Sequence, residues 1–534
     1  MAANHPILKR FKKAHAKRRL WDPMLADAYA YCLPNYGAVS ARTGQTKNDN
    51  QRGEKRGLEV FDGTGGEALE DRAAYTVDAL FPDSEAWVGA QADLEQIYDK
   101  AFADYAKDAF DTVQSAFDNS NFMAEIVTAM REAYISVGTI TFDFGTTQNP
   151  FNLEALPIGQ VTPEDSYDGI IRTNFRKFEI PVSDITAKWP GAKVPQTLTD
   201  KGADKPVKII EAEIFDHASA KATYTVLVET DGAVLFERVD EVGRTIPFRT
   251  DKAPGETMGR GPVLAAMPDI KVANKTDELT LKNASIAVTG IWQADDDGVL
   301  NPANIKLVPG AIIPKAMGST GLTPLAAPGR FDVAQLMTED RRKRIRRKIF
   351  GQDLPPIEDA GQSTAFEIGE RVRAFETIEG PHLRRLIPEL FMRLVKRGLY
   401  ILMHPSMAGS RYHLRPFGDL DASATLDALM DALEGPDEAV KRKRKDAQAD
   451  AAVAAAVQLL GEGVSDVVDI KAYLRRRLER EGVAKDLIVD EKAAQANAEQ
   501  NQMMQMAAMA MQGGGGGAND NATAPPDLSA GMMG

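Results

Sequence analysis

Apolar positions along the first third of the chain recur at helical spacing. In residues 7–33, Leu8, Phe11, Leu20, Met24, Leu25, Ala28 and Tyr31 mark one helix or a broken pair restarted by Pro23. A polar stretch rich in Gly, Asn, Lys and Arg, residues 35–57, predicts a loop, and helical patterns resume over 67–80, 93–118 and 122–136. The period then changes. TITFDF, IIRTNFRKF, VKIIEAEIF, ATYTVLVET and AVLFERV, all between Thr139 and Phe248, are β-branched, aromatic or alternating. Turns such as Thr230-Asp231-Gly232 separate them, which predicts a mostly antiparallel sheet inside an α+β unit.

Helical spacing returns after Gly259-Arg260-Gly261. Pro262 suits a first helical position, and Val263, Met267, Ile270, Asn274, Leu281, Ala284 and Val288 follow near helical period, while Lys271, Lys275, Glu278 and Lys282 take another face. Pro268 either kinks this helix or marks its true start. About twenty-six residues at about 1.5 Å each make a rod of roughly 40 Å. Its apolar stripe is narrow, so it is expected to pack against copies of itself, with Val263, Met267, Ile270 and Leu281 as the packing candidates. An acidic turn, Asp295-Asp296-Asp297-Gly298, and a Pro/Gly-punctuated stretch with room for two short strands, residues 305–329, lead to a second helix over 333–350. Gly351 to Pro356 breaks that helix and a loop runs to about Gln362. A helical tract over 363–403 is interrupted at Gly380-Pro381 and at Pro388, and further helices are predicted over 422–433, 436–460 and 464–481. Residues 494–534 carry a Met/Gln run and Gly513 to Gly517, with too few large apolar residues for a core, a composition that predicts disorder. The fold class is therefore α+β and predominantly helical.

The 534 residues carry 64 Lys and Arg against 77 Asp and Glu, a formal charge of -13, which argues against a protein that simply coats nucleic acid. The single cysteine, Cys32, permits no intrachain disulfide and suits a reducing compartment. No apolar run reaches the ~20 residues needed to cross a bilayer, so no membrane insertion by this chain is expected. Asp295, Asp296 and Asp297 invite a hard cation, but the spacing does not fit an EF-hand: the twelfth residue from Asp295 is Lys306 rather than glutamate. The six histidines show no zinc spacing, there is no GxxxxGK[ST] phosphate loop, and Gly63-Thr64-Gly65-Gly66 reads as a flexible turn. No cofactor, metal site or catalytic residue is expected, and the chain is not read as an enzyme. Residues 341–348, RRKRIRRK, hold seven cations in eight positions: Arg341, Arg342, Lys343, Arg344, Arg346, Arg347 and Lys348. They cover nearly every face of a helix, so contact with DNA or with the negatively charged capsid opening competes with a solvated or salt-bridged surface touching Asp and Glu of neighbouring subunits.

Several blocks taken in order resemble the head-to-tail connector (portal) proteins of short-tailed bacteriophages. They are Trp21-Asp22-Pro23 with Tyr31 and Pro34, FDGTGGEALEDRAAYTVDALFPDSEAW from Phe61, NSNFMAEIVTAMREAYISVGTITFDF from Asn119, IRTNFRKFEIPVSDI from Ile171, the helix after Gly259, and STAFEIGERVRAFETIEGPHLRRLIPELFMRLVKRGLYIL from Ser363. The likeness covers roughly residues 10–405. It implies a wing at 1–258, stem helices at 259–290 and 333–350 around a small β-containing clip at 291–332, and a channel loop at 351–362. A bent wing helix would follow at 363–417, a helical crown at 418–493, and a disordered tail at 494–534. It further implies a homo-oligomeric ring of twelve at one capsid vertex of a virion, assembled in the host cytoplasm. Double-stranded DNA would pass through during packaging and ejection. The terminase motor, major capsid and scaffolding proteins and tail adaptors would be its partners. Asp353, Leu354, Pro355 and Pro356 join the basic cluster as channel candidates. Two rivals remain from the residues: another ring-forming tail protein, and a metal-dependent nucleic-acid enzyme using Asp295, Asp296 and Asp297.

Overall fold

The computed structural model describes residues 5–36, 60–82, 86–91, 94–164, 166–167, 169–200, 202–289, 292–293, 323–324, 331–350 and 384–435, with scattered positions from 449 to 474. Two compact units divide the chain, Met1–Ala439 and Val440–Gly534. In the second, the Tyr473 hydroxyl donates to Asp450.

Helices α1 (Pro6–Arg19) and α2 (Asp22–Cys32) are the pair separated at Pro23, each with proline in its first turn, where a missing N–H is harmless. They are followed by α3 (Thr64–Leu80), α4 (Lys100–Asp118) and α5 (Phe122–Ile135). The single helix expected over 93–118 is broken: a turn at Leu94–Ile97 stops at Tyr98, and α4 restarts after an extended Asp99. The main core joins α2 to α5 with the first sheet, and Phe81, Trp87, Phe117, Phe122 and Phe391 meet in it with ring centroids about 5–6.5 Å apart.

Two antiparallel sheets follow. The smaller has the order β2 (Phe151–Ala155), β1 (Gly138–Phe144), β8 (Thr245–Phe248), with Ile140 opposite both Ala155 and Ile246. The larger is a meander of β3 (Val161–Glu164), β4 (Thr173–Pro181), β5 (Pro206–Asp216), β6 (Lys221–Val228) and β7 (Val234–Asp240), with the short helix α6 (Val182–Lys188) after β4. Strand periodicity puts apolar residues on both its faces. Phe178, Ile180, Ile209, Val226 and Val228 pack with Ile185 and Trp189 beyond β4, whereas Phe175, Ile210, Ala212 and Leu227 are covered by Leu8, Phe11 and Ala14 of α1. Strands β2, β3 and β8 escape sequence reading for a physical reason. They are four or five residues long, and β3 and β8 carry Pro163 and Pro247, which only an edge strand tolerates.

Between the sheets lies a layer of ion pairs built on buried arginines. Arg176 holds Glu154 at 2.6 Å and Glu211 at 3.8 Å, Arg244 holds Asp143 at 2.8 Å, and Arg397 reaches Asp240 at 3.4 Å. Burial pulls the Arg397 guanidinium below its ordinary pKa, while the Glu213 carboxyl is pushed up by burial despite the Thr245 N–H it accepts.

The long helix α7 runs over Pro262–Thr289, so Pro262 is its first residue and Pro268 lies inside it. Strands β9 (Trp292–Gln293) and β10 (Thr323–Pro324) form a small antiparallel pair, and only β10 falls within the stretch where two strands were expected. Helix α8 (Phe331–Phe350) returns alongside α7. Pro388 is accommodated by a turn of π-helix, Ile387–Phe391, in which the Met392 N–H reaches back to the Ile387 carbonyl. Widening the turn is how a helix absorbs a residue that cannot donate and crowds the preceding turn. Helices α9 (Met392–Met403) and α10 (Ala422–Ala432) complete the unit. Leu426, Leu429, Ala432 and Leu433 bury α10 in the main core.

Candidate functional site

Those candidate residues that the structure describes lie on the antiparallel pair α7 and α8. At its base, the glycines of Gly259-Arg260-Gly261 let the chain lie directly against the end of α5. The Gly261 N–H donates to the Ile135 carbonyl at 3.1 Å, and the Ser136 hydroxyl donates to the Gly259 carbonyl at 2.8 Å. From there α7 enters the main core through Val263, Ala266, Met267, Ile270 and Ala273, while Ile345, Ile349 and Phe350 of α8 enter the same core.

Val263, Met267 and Ile270, expected to pack between subunits, lie in this core. They are 0%, 7% and 1% exposed within the chain itself, filled against its own helices. Of the four candidates, Leu281 is open, at 57% exposure, and Val272 and Leu279 of the same helix are also exposed. Along the rod the stripe changes surroundings: up to Ala273 it belongs to the subunit core, and the described side chains Leu279 and Leu281 beyond it are open.

Gly65 and Gly66 lie inside α3 rather than in a flexible turn. A Cβ at Gly65 would meet Ile270 Cδ1 at 2.9 Å and Cys32 Sγ at 3.2 Å, and one at Gly66 would meet the Cys32 carbonyl at 2.9 Å. The pair lets α3 press against α2 and α7. Cys32 is sealed beneath them, its thiol pushed up to about 12 by burial, which leaves it chemically inert.

The basic cluster on α8 is largely neutralised by acidic groups of its own chain. Arg341 contacts Asp269 at 2.5 Å, and Lys348 contacts the same carboxylate at 2.6 Å. Arg342 bridges Asp62 at 3.0 Å and Asp277 at 2.7 Å, Arg344 holds Asp340 at 2.9 Å, and Arg346 lies 3.7 Å from Glu67. Lys343 is exposed and has no ion pair among the described residues. Asn274 supports the arrangement by accepting the N–H groups of Phe61 and Asp62 at 2.6 and 3.1 Å. At the far end of α8, buried Arg72 donates to the Phe350 carbonyl at 2.9 Å and to the Tyr134 hydroxyl at 3.1 Å, which fixes the helix end. Asp62, Asp269, Asp277 and Arg72 were missed because they lie 65 to 280 residues from their partners. The one signal available was Asp269 and Asp277 recurring two turns apart on α7.

These pairs have a pH signature. Hydrogen bonds from Lys348 and Arg341 hold the Asp269 carboxyl below its ordinary range. At Asp62 burial works upward, but bonds from Thr64 and Arg342 outweigh it and the net shift is downward. A depressed carboxylate contributes stability above its unfolded pKa of about 3.9, and loses it as pH falls through the folded value. The α7–α8 contact should therefore loosen below about pH 4. Amide hydrogen exchange along α8 should rise there, and Asp269→Asn should show that exchange already at neutral pH. An unchanged acid midpoint in Asp269→Asn would remove Asp269 from the lock.

Asp295, Asp296, Asp297, Asp353, Leu354, Pro355 and Pro356 lie outside the described residues, as do residues 494–534. Among the described residues no group of His, Cys, Asp and Glu is arranged to hold a metal ion, and no helix is long and apolar enough to cross a membrane.

The class that this mixed helix-and-sheet unit represents follows from comparison with known families. The family model of the bacteriophage head to tail connecting proteins matches residues 4–407, and the chain belongs to that family. No curated protein matches. Among solved structures, a chain of the native gene transfer agent (GTA) virion is similar at 16% identity and TM-score 0.28, over 71% of this chain and 89% of that one. A chain from the neck of an empty GTA particle, computed with C6 symmetry, is similar at 15% identity and TM-score 0.31, over 76% and 92%.

Proposed function

We propose that this head-to-tail connecting protein is the subunit of a portal: a ring of twelve at one capsid vertex through which double-stranded DNA is packaged and ejected. The packaging motor docks on it during filling, and tail adaptor proteins replace the motor afterwards. Major capsid and scaffolding proteins surround the ring during assembly in the host cytoplasm. Family membership over residues 4–407 is the observation that carries this reading. The helix pair α7 and α8 supplies the stem, residues 291–332 the clip, and residues 351–362 the channel loop. Residues 1–258 and 363–417 make the wing, and 418–493 the crown.

The charge arrangement agrees with a conduit. A net charge of -13 disfavours lasting capture of DNA, and a basic cluster already paired with Asp62, Asp269 and Asp277 guides phosphate weakly at most. Negative-stain images of the purified chain test the reading, with closed rings as the expected result and isolated monomers at high concentration as the result against it. Two variants separate folding from assembly. Ile270→Asp should lower stability by several kcal/mol, because an unpaired charge enters a sealed core. Leu281→Asp should melt like the parent and yet form fewer closed rings. Equal melting of both variants would contradict the split role of α7.

A further inference from the structure

A denser set of basic residues without acidic partners lies on α1. This helix, PILKRFKKAHAKRR, contains no acidic residue. One side of it is docked firmly on the large sheet: Leu8, Phe11 and Ala14 are buried, and the Phe11 ring meets Phe175 at 5.7 Å. Arg10 reaches Glu164 at 2.6 Å, Arg18 reaches Asp22 at 2.8 Å and the Ile158 carbonyl at 3.1 Å, and His15 faces Thr162 at 3.1 Å. His15 adds no charge near neutrality, because burial, then Arg18 and Lys177, lower it to about 4. The other side carries Lys9, Lys12, Lys13, Lys17 and Arg19, all exposed and none in an ion pair or side-chain hydrogen bond among the described residues.

We infer that this stripe of α1 is a docking surface for the phosphate backbone of double-stranded DNA. The inference rests on the conduit reading only for the presence of DNA beside the subunit. Lys9, Lys13 and Lys17 stand at i, i+4 and i+8, so they project along one line of roughly 12 Å. Each strand of a duplex carries one phosphate per ~3.4 Å of axis, so that length meets about three or four phosphates of one strand, about one for each lysine of the line. Four of the five are lysines, point charges suited to contact without sequence preference. A protein partner is disfavoured by the same composition, because interface cores are depleted in lysine and rich in aromatic anchors. Here the exposed apolar side chain at the stripe is Leu20, at its very end. The sheet holds the helix in place, so little ordering is lost on contact.

The test uses the full chain and a short mixed-sequence duplex, with binding followed by fluorescence anisotropy across a salt series. Replacing Lys9, Lys12, Lys13 and Lys17 together by Gln should weaken binding more than tenfold at low salt and flatten the log–log salt slope by about 3 to 4, near 0.9 per lost contact. Lys13→Glu with Lys17→Glu should act in the same direction, and Lys193→Gln with Lys205→Gln, exposed lysines outside both α1 and α8, should change affinity less than about threefold. Parental affinity and slope in both α1 variants would overturn the inference. Unchanged duplex binding with loss of rings, or of contact with an acidic protein, would assign the stripe to a protein partner and overturn it equally. Negative-stain images of the same samples keep the two questions apart: failure of the parent to form rings counts against the portal reading, and unaltered duplex binding counts against this one.

Discussion

Gly261→Ala is expected to be the most damaging single methyl in this chain. A Cβ at that position would sit 1.9 Å from the Tyr134 carbonyl oxygen and 2.8 Å from that of Ile135. Both are backbone atoms at the end of α5, held by the main core through Tyr134 and Ile135, each 0% exposed, so neither can swing aside as a side-chain tip would. Gly259 meets the same obstruction, with the Ser136 oxygen 2.1 Å from its would-be Cβ. Overpacking in ordinary cores costs about 1–3 kcal/mol, and a backbone-to-backbone clash belongs above that range. Gly261→Ala should therefore lower stability by more than about 3 kcal/mol in urea titration, or leave the chain insoluble. Arg260→Ala, between the two, removes a pairing with Glu256 and a contact over Trp21 on the surface, and should change stability little. Equal effects at the two positions would mean that the base of α7 can shift, and that the helix is not rigidly set on the body.

This strip shows where sequence reading works and where it stops. The periodicity of 262–289 and 331–350 is enough to find α7 and α8, because a two-helix hairpin is made of local repeats. The five long strands are found for the same reason. Periodicity cannot tell a stripe that enters its own core from one that faces a neighbour, since Met267 and Leu281 are equally apolar. Only the packing of α3 and α8 around the first half of the rod distinguishes them. Gly65, Gly66, Gly259 and Gly261 look like turn residues in the sequence, but they are sites of close approach, a property that belongs to the partner backbone. The charge cluster of α8 is legible as charge. Its neutralisation by Asp62, Asp269 and Asp277 is not, because those acids come from other parts of the chain.

The buried pair Arg249 and Glu389 gives the second large effect. Their side chains are 1% and 4% exposed and 2.8 Å apart. Glu389 also accepts the Arg249 backbone N–H at 3.0 Å, while the guanidinium donates to the Thr257 carbonyl at 2.9 Å and the Gly169 carbonyl at 2.7 Å. Glu389 sits on the π turn around Pro388, so the pair fastens the bend of that helix to the segment that follows β8 and leads to α7. Two desolvated charges contribute little net stability together, yet removing one strands the other. Glu389→Leu should cost about 3–5 kcal/mol. The double variant Arg249→Met with Glu389→Leu should recover part of that loss, because the orphaned charge is gone, although the carbonyls of Thr257 and Gly169 lose their donor. Thermal melts of the two single variants and the double variant measure the coupling directly. If the double variant were no more stable than Glu389→Leu, the loss would lie in the severed link between the π turn and the approach to α7, and the pair would be a geometric fastening rather than a charge balance.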